Sequence, residues 1–338
     1  MHASSPRLDT RHDAPAHPIF EGNVPIVDRR EHDAGAERDA LAAALLATPA
    51  SIAPKYFYDA TGCALFARIC ELPEYYPTRT EAAIFERFRE EIVGAAGTGK
   101  QLIDLGAADC AKGAAWLPWL APVRYVAVDI AGDALAEALP RVALAHPDLD
   151  VQGVLTDFTR GLDLRRELSG ASTTWFYPGS SIGNFSPSEA LQFLQTIRGH
   201  CEGDGESGLL IGVDTKKDAA RLRAAYDDAA GVTAAFNRNI LLHVNRVLGT
   251  GFAPVGFAHV ARYNQAAGRV EMHLEARAPQ TVRIDGIRRV YAAGERIHTE
   301  SSYKYTPDEF TAMLQRAGFS SVQCWQDDAG DFAVYYAS

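Results

Sequence analysis

The sequence predicts an α/β protein built on a doubly wound parallel sheet, with a second, smaller α+β unit attached to it. Three observations carry that expectation. Short, continuously apolar runs alternate with helical segments between residues 101 and 213, the pattern of strands buried on both faces and joined by crossover helices. Beyond residue 219 the alternation stops, and helical periods mix with strand-like ones. Acidic residues also close three successive runs, at Asp104, Asp129 and Asp157, where open sheets bind their ligands.

In chain order, the first 34 residues mix His, Asp, Pro, Arg and Ala without a period and are expected to form a disordered tail. Ala36 to Ala47 reads as an Ala/Leu helix, and Pro54 to Pro77 is dense in aromatics, including Tyr56, Phe57, Tyr58, Phe66, Tyr75 and Tyr76. Thr78-Arg-Thr-Glu81 fits a capping box, opening a helix with Ile84, Phe88 and Ile92 at four-residue spacing. The apolar runs are Gln101–Asp104, Arg124–Val128, Val151–Leu155, Thr173–Tyr177 and Gly208–Val213. Ala219 to Ala230 and Thr233 to Leu248 look helical, whereas Arg269 to Glu275 alternates like a strand. Thr306-Pro307 starts a helix that runs to Gly318, and Ser321–Trp325 with Phe332–Tyr336 form a closing antiparallel hairpin.

Composition narrows the function. Hydrophobic residues make up 47% and charged residues 22%, with a net charge of −10. No Lys/Arg run stands out, so nucleic acid is not an expected partner. No apolar stretch approaches the roughly 20 residues that span a bilayer, and Met1 to Arg11 lacks the apolar core of a secretory signal. The five cysteines, Cys63, Cys70, Cys110, Cys201 and Cys324, include no CxxC pair, which favours a reduced, cytoplasmic protein. The ten histidines show no HxH or HExxH spacing, so no metal is expected.

The cofactor expectation rests on the strand ends. Gly106 follows the first run and lets the backbone approach a ligand that a Cβ would exclude. Asp129, 23 residues later, is placed to accept the hydroxyls of a ribose, and Asp157-Phe158 offers a carboxylate and a ring for adenine. This geometry serves nicotinamide cofactors as well as S-adenosylmethionine. A dinucleotide needs GxGxxG to seat its pyrophosphate on a helix N-terminus, whereas the loop here reads Gly106-Ala-Ala-Asp-Cys-Ala-Lys112-Gly113. S-adenosylmethionine carries no phosphate and does not require that turn.

Three longer strings go further: Leu72-Pro-Glu-Tyr-Tyr-Pro-Thr-Arg-Thr-Glu81, Gly179-Ser-Ser-Ile-Gly-Asn184, and the run from Ala225 to Asn239. With them the chain, from about Pro54 onward, resembles the ergothioneine-pathway L-histidine Nα-methyltransferases. The resemblance implies a class I methyltransferase (Rossmann-like) fold and trimethylation of L-histidine to hercynine with S-adenosylmethionine. It divides the chain into a tail (1–34), a first part of the substrate domain (35–79) and the cofactor-binding domain (80–232). A substrate-domain insertion (233–305) and closing elements of the cofactor-binding domain (306–338) follow. It places cofactor contacts on Gly106, Lys112, Asp129, Asp157 and Phe158. It places histidine contacts on Tyr75, Asn184, Tyr226, Glu300 and Ser302, with Tyr58 and Met272 lining the same pocket and Tyr58 and Asn184 nearest the chemistry. One departure is plain: where the family has a Ser-Gly-Thr-like run after the first glycine, this chain has Ala107-Ala108-Asp109-Cys110.

Residue chemistry stands beside the resemblance. Glu300 and Ser302 are two apart, so on a strand they face one way. Together they suit an imidazole, the carboxylate accepting an N–H and the hydroxyl matching the other nitrogen. Asn184 and Tyr226 are neutral donors for a substrate carboxylate. Two other readings remain at this level: an N-methyltransferase for another amino acid, such as tryptophan or a modified histidine, and a non-catalytic cofactor-binding module. The expected form is a monomer acting on a free small molecule.

Overall fold

The computed structural model describes residues 18–21, 24–30, 34–159, 161–201 and 205–338. Strands β1 (Pro18–Glu21) and β2 (Val24–Asp28) precede helix α1 (Ala34–Leu46), the short strand β3 (Ala50–Ser51) and helices α2 (Ala60–Cys70), α3 (Pro77–Arg87) and α4 (Arg89–Ala96). The apolar runs then fold as strands between helices: β4 (Gln101–Leu105), α5 (Ala111–Leu120), β5 (Arg124–Asp129), α6 (Gly132–Ala145), β6 (Asp150–Leu155), β7 (Thr173–Tyr177), α7 (Pro187–His200) and β8 (Gly208–Asp214). Next come α8 (Ala219–Ala224), α9 (Val232–Leu248), β9 (Phe257–Asn264), β10 (Arg269–Ala276), β11 (Gln280–Ile284), β12 (Ile287–Tyr291) and β13 (Arg296–Tyr303). Helix α10 (Pro307–Arg316) and strands β14 (Val322–Gln326) and β15 (Phe332–Ala337) close the chain.

Every residue of β4, β7 and β8 is buried, as expected where helices cover both faces. The large sheet runs β1-β2-β6-β5-β4-β7-β8-β15-β14. Strands β2, β6, β5, β4, β7 and β8 are mutually parallel, and β15 reverses against β8. From β4, chain order runs outward through β5 and β6 on one side and through β7 and β8 on the other, so the carboxyl ends of β4, β5 and β7 border a crevice at the switch point. This is the doubly wound class I methyltransferase fold that the sequence predicts. Among the described residues, no helix is long and apolar enough to cross a membrane.

The second unit is a four-stranded sheet, β3-β13-β10-β9, with the β11–β12 hairpin beside it. Helices α1, α2 and α9 share its apolar core, which includes Leu41, Tyr76, Ile240, Val270 and Ile297. Leu222, Ala225 and Tyr226 already belong to this cluster, so the expected border at 232/233 cuts through it. The two units meet where the chain leaves β13: Tyr305 bridges Thr215, just past β8. The turn Ser181–Asn184 lies against β13 so closely that a Cβ on Gly183 would stand 2.7 Å from the Tyr303 carbonyl oxygen.

Several local expectations are corrected. The segment expected to be a tail to residue 34 contributes β1 and β2, because Val24 and Ile26 alternate inward. Gly153 on β6 makes room for them; a Cβ there would sit 3.1 Å from Ile26 Cγ1. The rest of that expected tail, residues 1–17, 22–23 and 31–33, lies outside the described residues. The helix carrying Ile84, Phe88 and Ile92 is two helices, α3 and α4, joined at Phe88. Its expected capping box does not form: Pro77 supplies the first turn, and Glu81 is buried and bonds elsewhere. The helix read from Ala219 to Ala230 ends at Ala224, after which the Asp228 carboxylate accepts the first N–H groups of α9 from Val232 and Thr233.

Candidate active site

A cavity of about 600 Å³, counting its solvent-open part, lies between the two units. The seven residues expected to bind substrate, Tyr58, Tyr75, Asn184, Tyr226, Met272, Glu300 and Ser302, all line it. They come from six separate segments. Tyr58 follows the 3₁₀ turn Pro54–Phe57, and Tyr75 precedes α3. Asn184 ends the turn after β7, and Tyr226 follows α8. Met272 on β10 stands opposite Glu300 on β13, and Val270 stands opposite Ser302. The aromatic segment becomes a wall of edge-on rings: Tyr58 to Phe66 at 6.0 Å, Phe66 to Tyr75 at 6.3 Å and Tyr75 to Tyr226 at 6.3 Å between centroids. Such faces suit a cationic product.

A buried polar network forms the floor. The Asp214 carboxylate, at the end of β8, takes an ion pair from Lys304 at 2.7 Å, a hydrogen bond from the Tyr76 hydroxyl at 2.7 Å, and a second ion pair from Lys217. Lys304 also donates to the Tyr226 hydroxyl and to Ser302 Oγ, each at 2.9 Å, and Tyr226 donates to Ser302 Oγ at 2.9 Å. Burial opposes the Asp214 charge, but Lys304 and Lys217 outweigh it and hold the carboxyl below its ordinary range. Burial likewise opposes the Lys304 charge, and Asp214 outweighs it, raising the ammonium above its ordinary value. Glu300 differs: burial pushes its carboxyl up to about 7, with Lys304 opposing. Burial also raises the Tyr58 and Tyr75 phenols, with the Glu300 charge adding to it, so both are protonated donors at neutral pH.

Asp214, Lys217, Lys304, Phe66 and Phe236 were not among the expected site residues. Lys304 had a signal, since it extends the alternation of Glu300 and Ser302 by one more step on the same face. Asp214 had a weaker one, as another acid closing an apolar run. Phe66 stood in the aromatic-dense segment and Phe236 in the Ala225–Asn239 run, but neither had a sign of lining the site, because their place depends on α2 packing against α9.

Of the expected cofactor residues, Gly106, Asp129, Asp157 and Phe158 stand at the carboxyl ends of β4, β5 and β6, and Lys112 lies in the first turn of α5. Gly106 is exposed with φ +71°, and Phe158 Cζ would stand 4.0 Å from a Cβ placed there. Asp129 accepts N–H bonds from Ala108 and Ala131, both at 2.8 Å. Burial lifts its carboxyl above the ordinary range, with those N–H groups opposing. Asp157 pairs with Lys55 at 3.1 Å, and Phe158 packs against Tyr177 and Phe193. Lys112 pairs at 2.6 Å with Glu81, whose other oxygen accepts the Gly179 N–H at 2.6 Å. Glu81 therefore ties the cofactor loop to the loop that carries Asn184. An open glycine cradle, an acid on one side and a ring on the other fit the adenosine of S-adenosylmethionine, and Lys112 fits the carboxylate of its amino-acid tail.

Two sequence readings change here. Asp104, counted with the strand-end acids, is sealed under α5: Tyr125 donates to it at 2.7 Å, and a Cβ on Gly113 would clash at 2.2 Å. Burial pushes its carboxyl up to about 7. It pins β4 to β5 and offers nothing to a ligand. The departing loop holds both Ala108 and Cys110 at positive φ, +46° and +61°, a conformation costing about 1 kcal/mol per residue. The altered loop nevertheless delivers the Ala108 N–H to Asp129.

Residues 37–338 match the family described as histidine-specific, S-adenosylmethionine-dependent methyltransferases. The chain is 40% identical to histidine N-α-methyltransferase of Mycolicibacterium smegmatis over 87% of its own length and 92% of that protein. It is 38% identical to histidine N-α-methyltransferase of Mycobacterium tuberculosis over 93% and 99%. A more distant relative, 4-dimethylallyltryptophan N-methyltransferase of Claviceps purpurea, is 23% identical over 92% and 98%. The chain is an enzyme with S-adenosylmethionine as its methyl donor, and it belongs to the histidine-specific methyltransferases.

Proposed function

We propose that the protein methylates the α-amine of L-histidine three times in succession, yielding the betaine hercynine for ergothioneine biosynthesis. It acts as a monomer in the cytoplasm. The observation that carries this reading is the Glu300–Ser302 pair: a carboxylate facing the cavity with no hydrogen bond or ion pair from the described residues, two positions from a buried hydroxyl. An imidazole satisfies both, giving its N–H to Glu300 and turning its second nitrogen toward Ser302. An indole would meet Glu300 but leave Ser302 without an acceptor, which disfavours a tryptophan-type substrate.

Bound S-adenosylmethionine supplies an activated methyl on a sulfonium, so the chain's own task is alignment. Gly106, Asp129, Asp157 and Phe158 would hold the adenosine, and Lys112, steadied by Glu81, the methionine carboxylate. Asn184 and Tyr226 would hold the histidine carboxylate, and Met272 would close the apolar side. The amine must present a lone pair. Tyr58 and Tyr75, protonated at neutral pH, orient it through their hydroxyls while their rings accept the growing cationic charge. Mass spectrometry of histidine incubated with enzyme and S-adenosylmethionine tests the reading. A gain of three methyls is expected; no mass change with the cofactor demonstrably bound overturns it.

A further inference from the structure

We propose that Lys55 is a positioning residue for methyl transfer: it ties the turn that carries Tyr58 to Asp157, and so sets the substrate amine in line with the methyl. This rests on the reading above, with adenosine at Asp157 and the amine at Tyr58, and adds the residue that keeps the two in register.

Lys55 lies in the 3₁₀ turn Pro54–Phe57, and its carbonyl oxygen accepts the Tyr58 N–H at 3.3 Å. The two residues that follow it face the substrate unit. Tyr56 is buried there, its carbonyl oxygen accepting a hydrogen bond from His243 Nδ1 at 2.8 Å, and Phe57 stacks on Phe236 with 4.5 Å between centroids. The Lys55 side chain goes the other way. Its ammonium pairs with Glu37, in the first turn of α1, at 2.8 Å and with Asp157 at 3.1 Å. Asp157 follows β6 of the large sheet, so the second pair crosses from one unit to the other. Thr159 donates to Asp157 Oδ1 and Lys55 to Oδ2, which leaves Oδ2 a lone pair for the adenine amino group. Burial opposes the Lys55 charge, and Glu37 and Asp157 outweigh it.

Tyr58 is where this tie matters. Its ring lines the cavity, and its phenol feels the charges of both Glu300 and Asp129, the acids read for the imidazole and the ribose. Lys55 itself does not line the cavity, so its loss removes no contact to histidine. What it changes is how the turn sits on the strand ends, and with it the alignment of amine and methyl. A displacement of about 1 Å is enough to cost on the order of 100-fold in rate. The pair is partly exposed, at 21% for the lysine side chain and 11% for the aspartate, so it contributes little to folding.

The test measures the single-turnover rate of the first methyl transfer at saturating histidine and S-adenosylmethionine, with S-adenosylhomocysteine affinity by calorimetry beside it. Lys55→Met is expected to lower that rate about tenfold. The histidine KM and the S-adenosylhomocysteine affinity should each stay within about threefold of wild type. Tyr58→Phe should slow the wild type but add little in the Lys55→Met background, because both changes act through the same hydroxyl. A wild-type rate in Lys55→Met overturns the proposal. So does a loss of cofactor affinity as large as the loss of rate, since Lys55 then only builds the adenine site. A Tyr58→Phe effect of equal size in both backgrounds overturns it as well. If Lys55→Met does not fold, Lys55→Gln is read by the same three criteria. Failure of the underlying reading looks different: Asp157→Ala leaves S-adenosylhomocysteine affinity unchanged, or Tyr58→Phe alone leaves the rate unchanged.

Discussion

The cofactor side and the substrate side of this cleft are built on different plans. At the cofactor side the ligand-facing groups stand at or just past the ends of adjacent parallel strands. Much of the work is done by backbone, as where Ala108 and Ala131 N–H groups fix Asp129. At the substrate side the groups are side chains from six segments spanning residues 58 to 302, held by a buried charge network around Asp214. A scaffold of strand ends leaves the side chains of the intervening loop free, because it is the backbone N–H of Ala108 that meets Asp129. The substrate side has no such slack, because each contact depends on another element's position.

The largest effect that would break this comparison is at Glu300. Glu300→Ala is expected to raise the KM for histidine by about 30-fold, the loss of one charge-assisted hydrogen bond of about 2 kcal/mol. S-adenosylhomocysteine affinity by calorimetry should not move; if it does, the two sides are not independent. Asp129→Ala is the converse. It should weaken S-adenosylhomocysteine about tenfold, with the histidine KM at saturating cofactor unchanged.

Glu81 sharpens the comparison, since its carboxylate bonds both Lys112 and the Gly179 N–H. Glu81→Gln keeps an acceptor for the Gly179 N–H but loses the ion pair to Lys112. A loss of a few-fold in cofactor affinity and a smaller rise in histidine KM are expected. An effect on one ligand alone would show that Glu81 does not couple them.

The smallest effect is on stability. The Glu300 carboxyl lies near 7 in the fold, above its ordinary value near 4.5, so the ligand-free folded protein binds this proton more tightly than the unfolded chain. Its contribution is therefore fully present below about 4.5 and lost as pH rises through 7. Thermal melts from pH 5 to 8 should show a steeper decline for wild type than for Glu300→Gln. Parallel curves would mean that Glu300 is not desolvated as its position implies.

How much was legible follows from the same division. The apolar runs, Gly106, Asp129 and the closing hairpin were readable because parallel strands and their ends have local signatures. Asp104 shared that signature yet lies sealed under Gly113, since a strand-end acid and a strand-interior acid look alike until the next helix is packed on. The family resemblance brought Tyr58, Tyr75, Asn184, Tyr226, Met272, Glu300 and Ser302 forward, and all seven line one cavity. β2 was missed because a five-residue strand starting a polar segment carries too little periodicity to stand out. Glu81 was misread because Thr-x-x-Glu has the same spacing whether or not the chain caps there.

The sequence by itself determined the sheet, the absence of a dinucleotide loop and the identity of the groups available to a histidine ring. Tertiary structure alone decided that Lys304, Asp214 and Glu81 belong to the site. Their roles are pairings between β13, β8, α3 and α5, and a buried charge reveals its purpose only through the partner that keeps it charged.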